Sequence, residues 1–190
     1  APIASQPPDT LVRFRIHAMD RTGARRMQPA LQEPRPTYSF GTWVNTNTAR
    51  LPFAYMLNVS PPQHETRIRL AGLAPRVSAE PPVGNGAFIV VPPAGGEVEV
   101  FDRVQIRPRG GGFKVHFQSD RAFRGMTGIN LLFEWSPRWV LAEHLAYELY
   151  RRAGVPAPVS DHVRVWLDGQ PLGYHLCVEQ PNKAFLSRHR

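Results

Sequence analysis

Cysteine is almost missing from this chain: Cys177 stands alone among 190 residues. A single thiol rules out an intrachain disulfide, so cysteine usage says nothing of the compartment, and a place in an apolar strand pattern fits a small buried hydrophobe. Lysine is nearly as scarce. Of 23 basic residues only Lys114 and Lys183 are lysine, so the formal net charge of +8 rests on arginine. Arginine stays ionised at any working pH and grips phosphate or carboxylate through two parallel hydrogen bonds. Such a surface admits phosphate-bearing partners without requiring them. No apolar run approaches the length of a membrane span, and no hydrophobic leader opens the chain. No motif interleaves aromatic with basic residues, so the charge alone does not make nucleic acid an expected partner. Internal repeats and low-complexity tracts, the marks of a solenoid, are also missing. The sequence starts at Ala1 rather than at methionine, which reads as a processed form or a piece of something longer.

What is present is a globular composition, 42% hydrophobic and 20% charged, rich in proline (20 residues) and glycine (15 residues). Residues Ala1 to Thr10 read as a linker. Leu11 to Met19 alternates, with Val12, Phe14, Ile16 and Ala18 on one face and Arg13, Arg15 and His17 on the other, so a half-exposed strand is expected there with its turn at Asp20-Arg21-Thr22-Gly23. Together with the proline-bearing connector Gln28 to Thr37, residues 1–37 read as a linker and the end of a preceding β module. Residues 38–190 then read as a second region. Strand candidates recur at Tyr38 to Val44, Phe53 to Val59, Arg67 to Leu70, Ala87 to Val91, Val98 to Ile106, Phe113 to Phe117 and Ile129 to Trp135, punctuated by proline and glycine clusters.

The stretch Trp139 to Leu186 changes period. Leu141, Leu145 and Leu149 stand at helical spacing, Arg151 and Arg152 occupy the last turn, Gly154 suits a left-handed cap and Pro156 forbids continuation. After it His162, Arg164 and Trp166 alternate with Val163, Val165 and Leu167, Asp168-Gly169 signals a hairpin turn, and Leu172 to Val178 forms the return strand. A short final helix is expected from about Asn182. Many strands, one main helix, a hairpin and a terminal helix make α+β the expected class.

Read together, FKVHF at Phe113 to Phe117, FRGMTGINLLFEW at Phe123 to Trp135, HLAYELYRRAGVPAPVSDHVRVWLDGQPLGYHL at His144 to Leu176 and VEQPNKAFL at Val178 to Leu186 resemble the CotH family of spore-coat-type atypical protein kinases. The resemblance implies a divergent kinase-like lobe following the β-rich region, with residues 38–190 as the N-terminal portion of a CotH-like kinase domain. It also implies ATP and magnesium as cofactors and phosphoryl transfer to serine or threonine of a protein substrate. The upstream segments LVRFRIHAMDRTG, FGTWV and LPFAYML resemble those preceding such domains in exported bacterial surface proteins, which implies an extracellular or cell-surface location.

Where the family has paired lysines and a serine before the FKV-like strand, this chain has Arg109-Gly110-Gly111-Gly112, leaving Arg107, Arg109 and Lys114 as local cations. The glycines suit either a tight turn or a phosphate cradle. Lys114 alternates onto the face of His116, which is either a solvated strand face or a phosphate site. At the helix start the family's arginine is Ala142 and its lysine is His144, while Glu143 remains able to form a cation pair. Glu179 ends an apolar strand in the VEQP block, as an orienter of a lysine or metal or as a strand-terminal ion pair with Arg164 or Lys183. Gln180 and Lys183 share that block. Arg109, Lys114, Glu143, Glu179, Gln180 and Lys183 are thus the candidate cofactor-binding residues. The family's catalytic and metal-binding aspartates lie on later segments that this sequence does not contain, so the chain by itself is expected to be inactive, with no catalytic or metal-ligating residue of its own. The competing expectation is a non-catalytic cell-surface module that keeps a degenerate CotH-like framework.

Overall fold

The computed structural model of the chain describes residues 2–31, 33, 37–58, 86–93, 95–133, 135–136 and 138–189. The strand expected at Arg67 to Leu70, and the Pro61-Pro62 and Pro81-Pro82 punctuation, lie outside them. Two compact units are present, Ala1–Thr46 and Asn47–Arg190.

The first unit is two ribbons. β1 (Leu11–Phe14) pairs antiparallel with β4 (Tyr38–Gly41), and β2 (Ile16–Met19) with β3 (Arg25–Gln28). Phe14 packs on Tyr38 and Phe40, with ring centroids 5.5 and 6.2 Å apart. The turn at Asp20 forms as the sequence suggests: the Asp20 carboxylate accepts from the Thr22 amide and hydroxyl and from the Ala24 amide. Those bonds, the Thr22 hydroxyl first, hold its carboxyl below the usual range. The single strand expected over Leu11 to Met19 is divided at Arg15, because alternation stays in phase while the chain exchanges one partner strand for another. β2 is exposed along its whole length, so it has no buried face.

The second unit is a closed seven-stranded barrel. Its strands are β5 (Phe53–Asn58), β6 (Gly86–Val91), β7 (Glu99–Arg109), β8 (Gly112–His116), β9 (Gly128–Phe133), β10 (Ser160–Leu167) and β11 (Gln170–Glu179). They run around the wall as β5-β6-β7-β8-β9-β11-β10, and β10 closes the ring by pairing parallel with β5 through Arg164↔Phe53 and Trp166↔Tyr55. Every other pairing in the wall is antiparallel. Period-two alternation fills the interior: Met56, Phe88, Val104, Val115, Ile129, Leu131 and Val165 are fully buried. Phe88 and Phe101 each meet Phe117 and Phe123 edge-on, and Phe117 stacks on Phe123, in an aromatic cluster. Burial of the Cys177 thiol among these groups raises its pKa to about 12, so it is an inert core residue.

The β7–β8 hairpin turns on Gly110 (φ 42°) and Gly111 (φ 85°), the left-handed pair of a two-residue loop. Gly112 has a separate reason to be glycine, since a Cβ there would stand 1.9 Å from the Leu131 carbonyl oxygen. The β10–β11 hairpin likewise turns on Asp168 (φ 49°) and Gly169 (φ 81°).

The expected α+β class with a kinase-like lobe is overturned. The unit is strand-dominated and closed, and its described helices number two: α1 (Ala142–Arg152) and α2 (Lys183–Arg188). Individual strands and the α1 boundary agree with the sequence reading to within a few residues, and Gly154 takes its left-handed conformation (φ 76°). Alternating strands suit an open lobe and a closed barrel alike, and the decisive β5–β10 pairing joins residues more than a hundred positions apart. Nor does α1 fill a core. It has no buried residue, and Leu145 and Leu149 are 57% and 67% exposed.

Candidate functional site

The outer face of β7, β8 and β9 gathers unneutralised positive charge. Because Val115 and Ile106 point inward, Lys114 and His116 point out, and the register places Arg107 opposite Lys114 and Gln105 opposite His116. On the other side Asn130 lies opposite Lys114 and Gly128 opposite His116. Arg109 leans across the hairpin and donates to Asn130 Oδ1 at 3.2 Å, and Arg107 donates to Gln105 Oε1 at 3.3 Å. Among the described residues no carboxylate forms an ion pair with Arg107, Arg109 or Lys114. Partial burial, reinforced by the Arg109 and Arg107 charges, lowers the Lys114 pKa below that of a free lysine. Burial first, then Lys114 and Arg107, also lowers the His116 pKa, which keeps that ring uncharged at neutral pH.

Gln180 reaches this face from the end of β11. Its amide N–H donates to the Gly128 carbonyl at 3.0 Å, and its side chain lies over Gly128. A Cβ on Gly128 would meet Gln180 Oε1 at 3.0 Å, His116 Nδ1 at 3.5 Å and Asn182 Nδ2 at 3.6 Å, so three polar groups converge over one bare Cα. Asn182 is engaged elsewhere as well, donating to Thr127 Oγ1 and accepting from the Ala184 and Phe185 amides as the N-cap of α2. Gln180 Oε1 is shielded from solvent and has no hydrogen-bond partner.

Glu179 faces the other way. It is 2% exposed, opposite the inward-facing Ile129, and its carboxylate is ion-paired to Arg188 and accepts from the Val159 amide at 3.3 Å. Its partner is therefore neither Arg164, whose guanidinium lies over Phe53, Trp166 and Tyr174, nor Lys183, which is exposed at the first turn of α2. Glu143, on α1, accepts from the Tyr147 hydroxyl at 2.6 Å, and that bond together with burial raises the Tyr147 pKa to about 12. The structure thus joins Arg109, Lys114 and Gln180 on one face and leaves Glu143, Glu179 and Lys183 apart from it.

A family model described as CotH kinase protein matches residues 111–190. Over that segment the chain is similar to the CotH family. No curated protein matches the chain. The CotH segment begins at Gly111, so it takes in β8, β9, both helices and the β10–β11 hairpin. β5, β6 and β7 complete the same barrel from outside the matched residues, and Arg107 and Arg109 come from that outer part.

Three members of the basic face, Arg107, His116 and Asn130, were not among the candidates drawn from the sequence. His116 was within reach, since it shares Lys114's face by alternation. Arg107 was already a local cation in the sequence, but its place opposite Lys114, like that of Asn130, depends on the register of two strand pairs, which no local pattern carries.

The face fits anionic oxygen: guanidinium and ammonium groups stand side by side with polar neighbours and no described carboxylate partner. Among the described residues no three His, Cys, Asp or Glu side chains converge, Glu179 is taken by Arg188, and Glu143 is bonded to Tyr147.

Proposed function

We propose that the barrel is the phosphate-holding part of a CotH-type phosphotransferase, binding the polyphosphate of ATP on the outer face of β7–β9 and performing no phosphoryl transfer by itself. The observation that carries this reading is Lys114, which lies in the segment similar to a kinase family, is flanked by Arg107 and Arg109 from outside that segment, and has no described carboxylate to neutralise it. Phosphoryl transfer depends on positioning the phosphates and neutralising their charge. Lys114 and the two arginines do both: the fixed forks of the arginines orient phosphate oxygens, and the ammonium adds a compact charge between them. Asn130 holds Arg109 in place.

The protein substrate, with its serine or threonine acceptor, and an extracellular or cell-surface setting belong to the same reading and rest on the family resemblance. The second reading, a non-catalytic surface module, draws on the loss of the family's lysines at Gly110 to Gly112 and on the exposed apolar stripe of α1.

The two are separated by incubating the chain with labelled ATP, magnesium and a serine-rich peptide while measuring ATP binding by calorimetry. The phosphotransferase reading expects no transfer but saturable ATP binding, weakened about tenfold by Lys114→Gln, the loss of one charge-assisted contact. Lack of binding, or binding indifferent to Lys114, contradicts it and leaves the module.

A further inference from the structure

The orphaned Gln180 Oε1 and the neutral His116 ring both lie over Gly128, 3.0 and 3.5 Å from where its Cβ would stand, at the end of the cationic row. Each has what the other lacks. A neutral imidazole carries one N–H and one lone pair, whereas an imidazolium donates from both nitrogens. A buried amide oxygen without a partner is destabilising until something donates to it. His116 stands two residues along β8 from Lys114 on the same outward face, about 7 Å away at strand spacing. An anion lying on Lys114 and Arg107 therefore comes within reach of the ring. The groups around His116 are Gln105, Arg107 and Arg109 from β7, Lys114 from its own strand, Gly128 and Asn130 from β9, and Gln180 and Asn182 beyond β11. All the charged members of that set are positive.

We propose that His116 is a further cationic ligand of the phosphate face, taking up a proton when a polyphosphate binds and donating that proton from its ring to Gln180 Oε1. This rests on the anion-binding reading above and adds its regulation. The physical step is a balanced one. Burial first, and then repulsion from Lys114 and Arg107, keep the ring neutral; the incoming anion offsets the repulsion, a proton enters from water, and the orphan oxygen accepts the new N–H. Binding and protonation are linked, so each favours the other by the same factor. The depressed ring pKa sets the sign: affinity rises as the pH falls through the range in which the free ring begins to protonate.

The test uses inorganic tripolyphosphate as the probe, titrated into the whole chain by calorimetry at about pH 7.5 and about pH 5.5, in two buffers of different ionisation enthalpy. The probe itself loses charge on acidification, so a site made only of arginine and lysine binds it more weakly at the lower pH. Expected are net proton uptake on binding and an affinity ratio, lower pH over higher, about tenfold larger for the native chain than for His116→Gln. Gln180→Met is expected to reduce that ratio as well. Equal ratios for native and His116→Gln chains, with binding that still depends on Lys114, overturn the proton coupling and leave the phosphate face intact. No binding at either pH removes both. Circular dichroism of each variant confirms the fold before titration.

Discussion

Glu179 and Lys114 both carry charge beside apolar strands, yet one is consumed by the fold and the other is not. Glu179 is held by Arg188 and by the Val159 amide, so removing either member of the pair acts on stability before it acts on any ligand. Arg188→Ala strands a buried carboxylate and is expected to cost about 3 kcal/mol in urea unfolding, more than Glu179→Gln, which leaves a guanidinium with access to water. Equal losses, or none, contradict that placement. His175 supplies a pH dependence. It is 2% exposed beside Phe133 and Phe113, and burial lowers its pKa. The unfolded chain therefore binds a proton more readily than the folded one, and stability falls as the pH drops through about 6.5 and below. Thermal melts of the native chain should show that decline, and His175→Leu should flatten it. Glycine positions divide sharply. Gly112→Ala drives a Cβ into the Leu131 carbonyl and is expected to cost about 3 kcal/mol, whereas Gly110→Asn, at a left-handed position with open space, should stay near neutral.

At the scale of elements, α1 separates local pattern from tertiary role. Its caps, its period and its end at Gly154 were legible in the sequence because they are local: arginines in the last turn, a left-handed glycine, a following proline. Its packing was not, since an apolar stripe at helical spacing says that something should cover it and not what does. His144 Nδ1 lies 3.0 Å from Ser160 Oγ and His162 Nε2 donates to the Val140 carbonyl at 2.8 Å, so polar contacts tie this part of the chain to β10. Leu145→Glu and Leu149→Glu should each change the unfolding free energy by no more than about 0.5 kcal/mol, the range of ordinary surface changes. A loss of about 2 kcal/mol or more would restore the buried role that the sequence suggests. Strand positions were legible for the same local reason, from alternation and from glycine and proline punctuation. The division at Arg15 was not, because a change of partner leaves the alternation undisturbed.

The whole molecule owes its barrel to pairings that no window of sequence contains. β5 and β10 meet in parallel, β9 pairs with β11 across the intervening helix and hairpin strand, and Arg107 joins Lys114 only through the β7–β8 register. The basic face was accordingly half legible: Arg109, Lys114 and Gln180 from the family pattern, Arg107 as a local cation and His116 by alternation with Lys114, and Asn130 only once strands were neighbours. The family pattern also grouped Glu143, Glu179 and Lys183 with them, although the barrel turns Glu179 inward and leaves the other two on separate elements. The most direct measurement of the central claim is a residue-resolved NMR titration of the chain with inorganic tripolyphosphate. Saturable shifts confined to Arg107, Arg109, Lys114, His116 and Asn130, and lost on Lys114→Gln, are the predicted result. Shifts centred on Glu143 or Lys183, or no saturable shift at all, would contradict it.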